Sequence, residues 1–99
     1  MEDQDLYSGL IRLHILYHAE KGPIFGLEII EELGRHGYRL SPGTIYPILH
    51  GMEKRGYLHS ENKAFSGHFR RVYRISPMGS KSLKRAKEEV KELFGELFE

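Results

Sequence analysis

The chain of 99 residues lacks cysteine and tryptophan, and it has no long apolar run. Without cysteine there is no disulfide, no thiolate nucleophile and no thiolate ligand for a metal ion. No stretch approaches the roughly 18 apolar residues of a membrane-spanning helix, and the acidic N-terminus lacks the basic region and apolar run of a signal peptide. These absences exclude a disulfide-stapled scaffold and favour a cytoplasmic protein without a membrane partner.

Recognisable catalytic motifs are missing as well. The sequence has neither a GxSxG motif nor a glycine-rich phosphate-binding loop. His14 and His18 are spaced i, i+4, as two metal ligands on one helix would be. However, no third ligand lies close to them along the chain, and both histidines fit a surface or an interface equally well. We therefore predict that the protein is not an enzyme and has neither a metal site nor a cofactor.

The composition and the charge pattern indicate one folded domain with a polyanionic partner. The chain is 39% hydrophobic and 29% charged, and a domain this small often gains core by oligomerisation. Residues 1–34 and 86–99 have net charges of −5 and −3, whereas residues 35–85 have a net charge of +9. A basic block between acidic ends favours binding to a polyanion, although a solvated basic face without a partner has the same pattern.

Apolar residues that recur every three or four positions predict two helices at the start of the chain. The first spans residues 4–20, and its apolar surface is broad enough to be buried on more than one side. The second runs from Gly26 to Gly34 or Gly37, after a short extended piece at residues 24–25.

A third helix, over about residues 42–55, starts at Ser41-Pro42, where a capping hydroxyl precedes a proline. Pro47 lies inside it and removes a backbone hydrogen bond, at a cost of about 3 kcal/mol. The proline lies opposite the apolar face, so its ring is expected to point away from the core. The inward residues of this helix are predicted to be Ile45, Ile48, Leu49 and Met52.

Beyond the third helix the hydrophobic period changes from helical to strand-like. Residues 57–63 and 68–76 predict two strands joined across residues 64–67, with Tyr73 and Ile75 facing inward and Val72 on the opposite face. A second Ser-Pro pair then opens a helix over residues 77–97. The fold class is therefore mainly α with a small β-hairpin: a winged helix-turn-helix DNA-binding domain (residues 1–76) and a long C-terminal dimerisation helix (residues 77–99), within one compact domain.

In a winged helix the third helix enters the DNA major groove, so its outward residues are candidate DNA ligands. Hydroxyls at its N-terminus favour a phosphate, while the proline, histidine and lysine side chains reach bases or phosphates. The alternative is that Tyr46 covers a neighbouring helix and Pro47 is merely tolerated. The candidate residues are Ser41, Gly43, Thr44, Tyr46, Pro47, His50 and Lys54.

The predicted hairpin, or wing, carries a second set of candidate DNA ligands. Basic side chains on a protruding hairpin contact phosphates or a minor groove, which supplies affinity more than sequence choice. The alternative is that one or more of the basic residues of the hairpin pairs with Glu61 or with the acidic helices. Arg74, near the hairpin base, is the strongest candidate for such a structural role. The candidate wing ligands are Lys63, His68, Arg70 and Arg71.

The last helix carries an a/d-type apolar seam, which predicts pairing with a second copy and with the apolar first helix. The alternative is that it folds back on its own core. The predicted dimer-interface residues are Leu83, Ala86, Val90, Leu93, Phe94 and Leu97.

The stretch LSPGTIYPILHGMEKRGYL, followed downstream by VYRISPMG, resembles the PadR family of transcription regulators. The upstream segment GPIFGLEI is similar to the corresponding segment of that family, so the resemblance covers nearly the whole chain. It implies a dimeric winged-helix repressor in which Pro47 is a family trait of the recognition helix. It also implies that a small, flat aromatic effector binds in or near the dimer region of some members. In this sequence the candidates to contact such an effector are Tyr7, Phe94 and Phe98, although these are expected to be ordinary core residues.

The function predicted from the sequence is therefore transcription regulation by a homodimer that binds double-stranded DNA. We expect a repressor on a palindromic operator. The alternatives are a winged-helix module that uses its basic face for a protein or RNA partner, and a sensor whose DNA affinity is switched by a ligand.

Overall fold

The computed structural model describes residues 4–99, with side chains from Leu6 onward. Residues 1–3, the start of the acidic N-terminal segment and of the predicted DNA-binding domain, lie outside the described residues. The element order is α1 (Gln4–Lys21), β1 (Ile24–Phe25), α2 (Gly26–Arg35), α3 (Pro42–Lys54), β2 (Leu58–Phe65), β3 (His68–Ile75) and α4 (Pro77–Leu97). This order confirms the predicted fold class, mainly helical with a small winged sheet.

One hydrophobic core joins the helices to the sheet. Three of the four inward residues predicted for α3 are buried in it, and Ile48 is half-buried at its edge. Leu83 of α4 is also in this core and only 3% exposed. The core residues are Ile11, Ile15, Leu16, Ala19, Ile24, Ile29, Leu33, Ile45, Leu49, Met52, Leu58, Tyr73 and Leu83.

The sheet has three antiparallel strands in the order β1-β3-β2, rather than the two strands of the predicted hairpin. The short β1 pairs with β3, placing Ile24 opposite Tyr73 and Phe25 opposite Val72. Tyr73 is fully buried, as predicted, but Val72, assigned to the outward face, is buried as well. Val72 lies in the central strand, between Phe25 of β1 and Glu61 of β2, and neighbours on both sides cover it.

The wing formed by β2 and β3 is longer than predicted because its turn is shorter. The predicted four-residue connection over residues 64–67 is a two-residue turn, Ser66-Gly67, and Phe65 pairs with His68 across it. Both turn residues have positive φ, 43° for Ser66 and 83° for Gly67. Positive φ at both central residues is typical of the type I′ turn, whose twist matches that of the flanking strands.

The junction between the wing and α4 is fixed by hydrogen bonds around Ser76. Its hydroxyl accepts a bond from the Gly79 N–H at 2.9 Å and donates to the Gly56 carbonyl. The Ser76 N–H donates to the Tyr57 carbonyl at 3.1 Å. The predicted capped start of α4 is therefore confirmed, and the cap also connects α4 to the segment between α3 and β2.

Candidate nucleic-acid interface

Helix α3 presents an exposed face opposite its buried one. The helix continues without a break through Pro47, which is exposed, as are His50 and Lys54 on the same side. Gly43, in the first turn, is exposed too, and a Cβ there would lie 3.7 Å from the Ser41 hydroxyl oxygen, an ordinary contact distance. The predicted outward position of Pro47 is confirmed. Its cost to the helix is not offset by any burial of its ring.

The N-terminus of α3 differs from that of α4 although both begin with Ser-Pro. The Ser41 carbonyl accepts bonds from the Thr44 and Ile45 N–H groups, each at 3.0 Å. Within residues 4–99, no backbone N–H donates to the Ser41 side chain, so the predicted hydroxyl cap of α3 is wrong. The Ser41 hydroxyl lies 3.4 Å from the exposed Thr44 hydroxyl. Two hydroxyls thus lie together at a helix N-terminus whose dipole favours an anion.

Tyr46 is half-buried and does not face outward as predicted. Its ring lies directly over Gly26, the first residue of α2, so closely that a Cβ at Gly26 would overlap the ring. Tyr46 therefore packs α3 against α2, which is the structural alternative considered for this residue. A glycine at the start of α2 was the one sequence signal of this close approach.

The C-terminal end of α3 is tied to the wing through Glu53. Its carboxylate accepts a bond from the Ser60 N–H at 3.1 Å and bonds from the Ser60 hydroxyl at 2.7 and 2.8 Å. Both residues are half-buried, which strengthens such charge-assisted bonds. This pair fixes the wing relative to α3. No sequence pattern predicted this contact, because neither residue belongs to a recognisable motif.

The wing carries its basic side chains along the exposed part of the hairpin. The Arg70 guanidinium carbon lies 5.4 Å from the centre of the Phe25 ring and 5.7 Å from that of Phe65, within cation–π range. The Arg71 guanidinium donates to the Asn62 side-chain oxygen at 3.1 Å. Lys63 and His68 are exposed. Arg70 is thus held in position by two aromatic rings.

Arg74 has the structural role considered for it. Its Nε lies 3.3 Å from a carboxylate oxygen of Glu61 on the neighbouring strand. The pair lies near the base of the wing, where His59 of β2 is directly opposite Arg74. Because its charge is paired with Glu61, Arg74 is not counted among the four candidate DNA ligands of the wing.

The family model that matches this sequence is the Transcriptional regulator PadR-like family, over residues 15–85. The chain belongs to this family. The predicted resemblance is confirmed, and the protein is a PadR-like winged-helix transcriptional regulator, which implies DNA binding. Among the described residues no helix has the length and apolar character needed to cross a membrane.

Individual relatives agree with the family assignment. The chain is 46% identical to the transcriptional regulator Rv3488 of Mycobacterium tuberculosis over 94 residues, which cover 95% of this chain and 88% of the relative. Its fold is similar to that of a PadR-like transcriptional regulator from Bacillus cereus, with 28% identity, a TM-score of 0.85 and coverage of 94% and 92% of the two chains. A PadR family transcriptional regulator from Eggerthella lenta is similar at 26% identity and a TM-score of 0.81, covering 96% of this chain and 87% of that one.

The predicted dimerisation helix of this PadR-like chain divides into a buried and an exposed part. Leu83, predicted to lie at the dimer interface, is instead buried in the core of its own chain, because the first part of α4 packs against α1. Ala86 is half-buried. Exposed apolar side chains on α4 and α1 form what we term the α1/α4 apolar surface: Leu6, Leu10, Tyr17, Val90, Leu93, Phe94 and Leu97.

The PadR-like fold has a groove of about 500 Å³ at this surface, lined by residues of α1 and α4. Leu10, Tyr17, Val90 and Phe94 line it together with histidines from α1. The expectation that Tyr7, Phe94 and Phe98 are ordinary core residues is wrong for the single chain, because all three are exposed. The Phe94 and Phe98 rings contact each other, with their centres 4.7 Å apart.

Proposed function

We propose that this PadR-like regulator acts in the cytoplasm as a homodimeric repressor, and that it binds a palindromic operator and occludes a promoter. In this proposal residues 1–76 bind DNA and residues 77–99 pair the two copies. The observation that carries it is the N-terminus of α3, where two exposed hydroxyls lie at an end without a side-chain cap.

The first turn of α3 is suited to hold a DNA phosphate. An anion at this position interacts favourably with the helix dipole and with the hydroxyls of Ser41 and Thr44. Gly43 presents no side chain, so the DNA backbone can approach closely. Pro47, His50 and Lys54 follow on the exposed face, where they contact base edges and the adjoining backbone.

The wing supplies contacts that do not depend on sequence. Lys63, His68, Arg70 and Arg71 are exposed on a hairpin that the Glu53–Ser60 bonds hold in a fixed position relative to α3. Each phosphate contacted releases counterions, so affinity falls steeply with salt concentration. The wing thus increases affinity, while α3 selects the sequence.

The α1/α4 apolar surface supports the proposed dimerisation. Val90, Leu93, Phe94 and Leu97 are 44–65% exposed in the single chain, and large apolar patches of this kind mark interaction sites. A second copy bound here would bury the α1/α4 apolar surfaces of both copies, since a twofold interface uses the same patch on each partner. The two α3 helices would then read half-sites about one DNA turn apart.

Binding to DNA from the upstream region of the protein's own gene tests the proposal directly. We would titrate the native duplex and a shuffled duplex of equal length in a salt series from about 50 to 200 mM. A preference for the native duplex that persists at high salt is expected of a sequence reader. The proposal would be contradicted if, for every upstream duplex tested, the native and shuffled forms bind with equal affinity and both affinities fall together as salt increases. That result would favour a basic face that binds a protein or RNA partner.

Pro47→Ala is expected to keep the fold and weaken operator binding. Restoring the backbone bond stabilises α3 by up to about 3 kcal/mol, while the variant loses the ring that contacts the base or sugar edge. Thermal melting would measure the first effect, and binding to the native and shuffled duplexes the second. Unchanged operator affinity would show that Pro47 has no part in DNA recognition.

Lys63→Ala is expected to weaken binding to both duplexes by the same factor and to reduce the salt slope of log K by about 0.9, the value for one phosphate contact. Arg74→Ala is the matched control. It also removes one positive charge from the wing, but that charge is already paired with Glu61. Salt titrations of both variants distinguish a side chain that contacts a phosphate from one that forms a structural ion pair. An equal slope change in both would mean that the wing acts only through its net charge.

A ligand-switched sensor is the second candidate function, favoured by the apolar groove between α1 and α4. A groove of this volume accommodates a small aromatic effector, and a ligand there would lie next to the α1/α4 apolar surface. Stabilisation against thermal unfolding by aromatic compounds, together with a change in operator affinity, is the expected result. Compounds that leave both properties unchanged would count against a sensor.

A further inference from the structure

Three histidines lie close together where α1 packs beside the C-terminal end of α2. His14 and His18 come from α1, and His36 immediately follows α2. One ring nitrogen from each lies within 4.8 Å of the other two, and the His14 and His36 rings stack with their centres 4.7 Å apart. The sequence predicted no metal site because no third ligand lies close to His14 and His18 along the chain. The fold supplies that ligand from 18 residues farther on.

One nitrogen of this group lacks a hydrogen-bond partner. The His18 Nε2 atom is buried, and no donor or acceptor within residues 4–99 bonds to it. The nearest acidic atom, Glu32 Oε2, is 3.7 Å away, beyond hydrogen-bond distance. An unsatisfied buried polar atom destabilises a fold, because its contact with water is lost and no protein group replaces it. A ligand at this position would remove that penalty.

Glu32 places a carboxylate beside two of these three histidines. Its Oε2 atom is 3.5 Å from His36 Nε2 as well as 3.7 Å from His18 Nε2. Its other oxygen, Oε1, accepts a bond from Arg35, which holds the carboxylate in place. A negative charge beside clustered imidazoles favours a cation among them, either as a further ligand or as an outer partner that orients them.

We propose that His14, His18 and His36 bind a divalent first-row transition-metal ion of the Zn²⁺ type, with Glu32 beside it. Imidazole nitrogen is a preferred ligand for such ions, and three protein ligands leave one position open for water or Glu32. Ligands at about 2.0–2.1 Å from a tetrahedral ion lie about 3.3 Å from one another. The observed separations of up to 4.8 Å therefore require the rings to close by about 1.5 Å.

The neighbouring groups make this closure feasible. His36 is exposed and lies at the end of α2, so its ring moves without disturbing the core. Burial, together with the nearby His36 and His18, lowers the pKa of His14. Neutral imidazole is the form that coordinates a metal ion. The bound ion would join α1 to the end of α2 at one wall of the groove.

Titration of the chelator-treated, untagged full chain with Zn²⁺ tests the site without DNA, so its outcome is independent of the proposed function. Calorimetry is expected to show saturable binding of one ion per chain, with an increase in thermal stability. His36→Ala is expected to weaken binding at least about tenfold, because it removes one of three ligands. Since His36 is exposed, far-ultraviolet circular dichroism should show an unchanged fold.

His68→Ala is the matched control, since His68 is an exposed histidine on the wing. It should bind Zn²⁺ as the unaltered chain does. Co²⁺ provides an independent readout, because a tetrahedral site gives an intense visible absorption that His36→Ala should abolish and His68→Ala should retain. The proposal fails if the chain binds no ion saturably, if His36→Ala binds as tightly as the unaltered chain, or if His68→Ala weakens binding equally.

Discussion

Leu93→Glu is expected to convert the dimer to a monomer and to weaken operator binding at least about 100-fold, the loss typical when two linked contacts become one. Leu93 is 47% exposed in the single chain, so the substitution leaves the core intact. At a dimer interface the new carboxylate would be buried without a partner, which strongly opposes association. Light scattering would measure the mass, and titration of the operator duplex the affinity.

Gly95→Glu is the matched control for this prediction. It adds the same side chain and the same charge to α4 two residues away, on the opposite side of the helix. Apart from the adjoining turns of α4 itself, no atom of the described residues lies within 4 Å of a new Cβ there. The control should remain dimeric and keep most of its operator affinity. A Leu93→Glu protein that stays dimeric would contradict the assignment of the α1/α4 apolar surface to dimerisation.

Gly79→Ala is expected to destabilise the fold by about 1–3 kcal/mol or more, as overpacking does. A Cβ at Gly79 would overlap the Tyr57 carbonyl and lie 2.8 Å from an Ile75 side-chain carbon. The same carbonyl accepts the Ser76 N–H bond that joins the start of α4 to the segment between α3 and β2. Backbone cannot move aside as a flexible side chain can, so α4 would have to shift. A melting temperature lower by about 5–20 °C is expected.

Gly95→Ala controls for the change of residue type within the same helix. With open space around it, the new methyl group should stabilise the helix by up to about 1 kcal/mol. The two glycine variants should therefore shift the melting temperature in opposite directions. A Gly79→Ala protein that melts at or above the temperature of the unaltered chain would contradict the close contact with Tyr57.

The helices and their ends could be predicted from the sequence because they depend on residues that are close together along the chain. Hydrophobic periods placed α1, α3 and α4 within one residue of their observed ends, since each period depends on residues within two turns. The Ser76-Pro77 pair marked the start of α4, as its hydroxyl cap confirms. The outward position of Pro47 also followed, because the side opposite an apolar face is fixed by helix geometry.

The errors concern the packing of one element on another. Two Ser-Pro starts look alike in the sequence, yet the Ser76 hydroxyl caps its helix and the Ser41 hydroxyl does not. Tyr46 satisfied the pattern of an outward residue, but Gly26 of the preceding helix leaves room for its ring. Leu83 fitted the seam of the last helix, but α4 docks on α1 early enough to bury it in its own core. Periodicity gives the face of a helix but not the element that covers it.

By itself, the sequence determined the order and bounds of the helices, the presence of a basic wing and the resemblance to the PadR family. Only the tertiary structure decided which surfaces remain exposed, added β1 to the sheet through its pairing with β3, and brought His36 to His14 and His18. The reason is physical. Caps, periods and turns depend on residues a few positions apart, whereas these contacts join residues 18 or more positions apart, and their proximity is set by how the buried faces pack together.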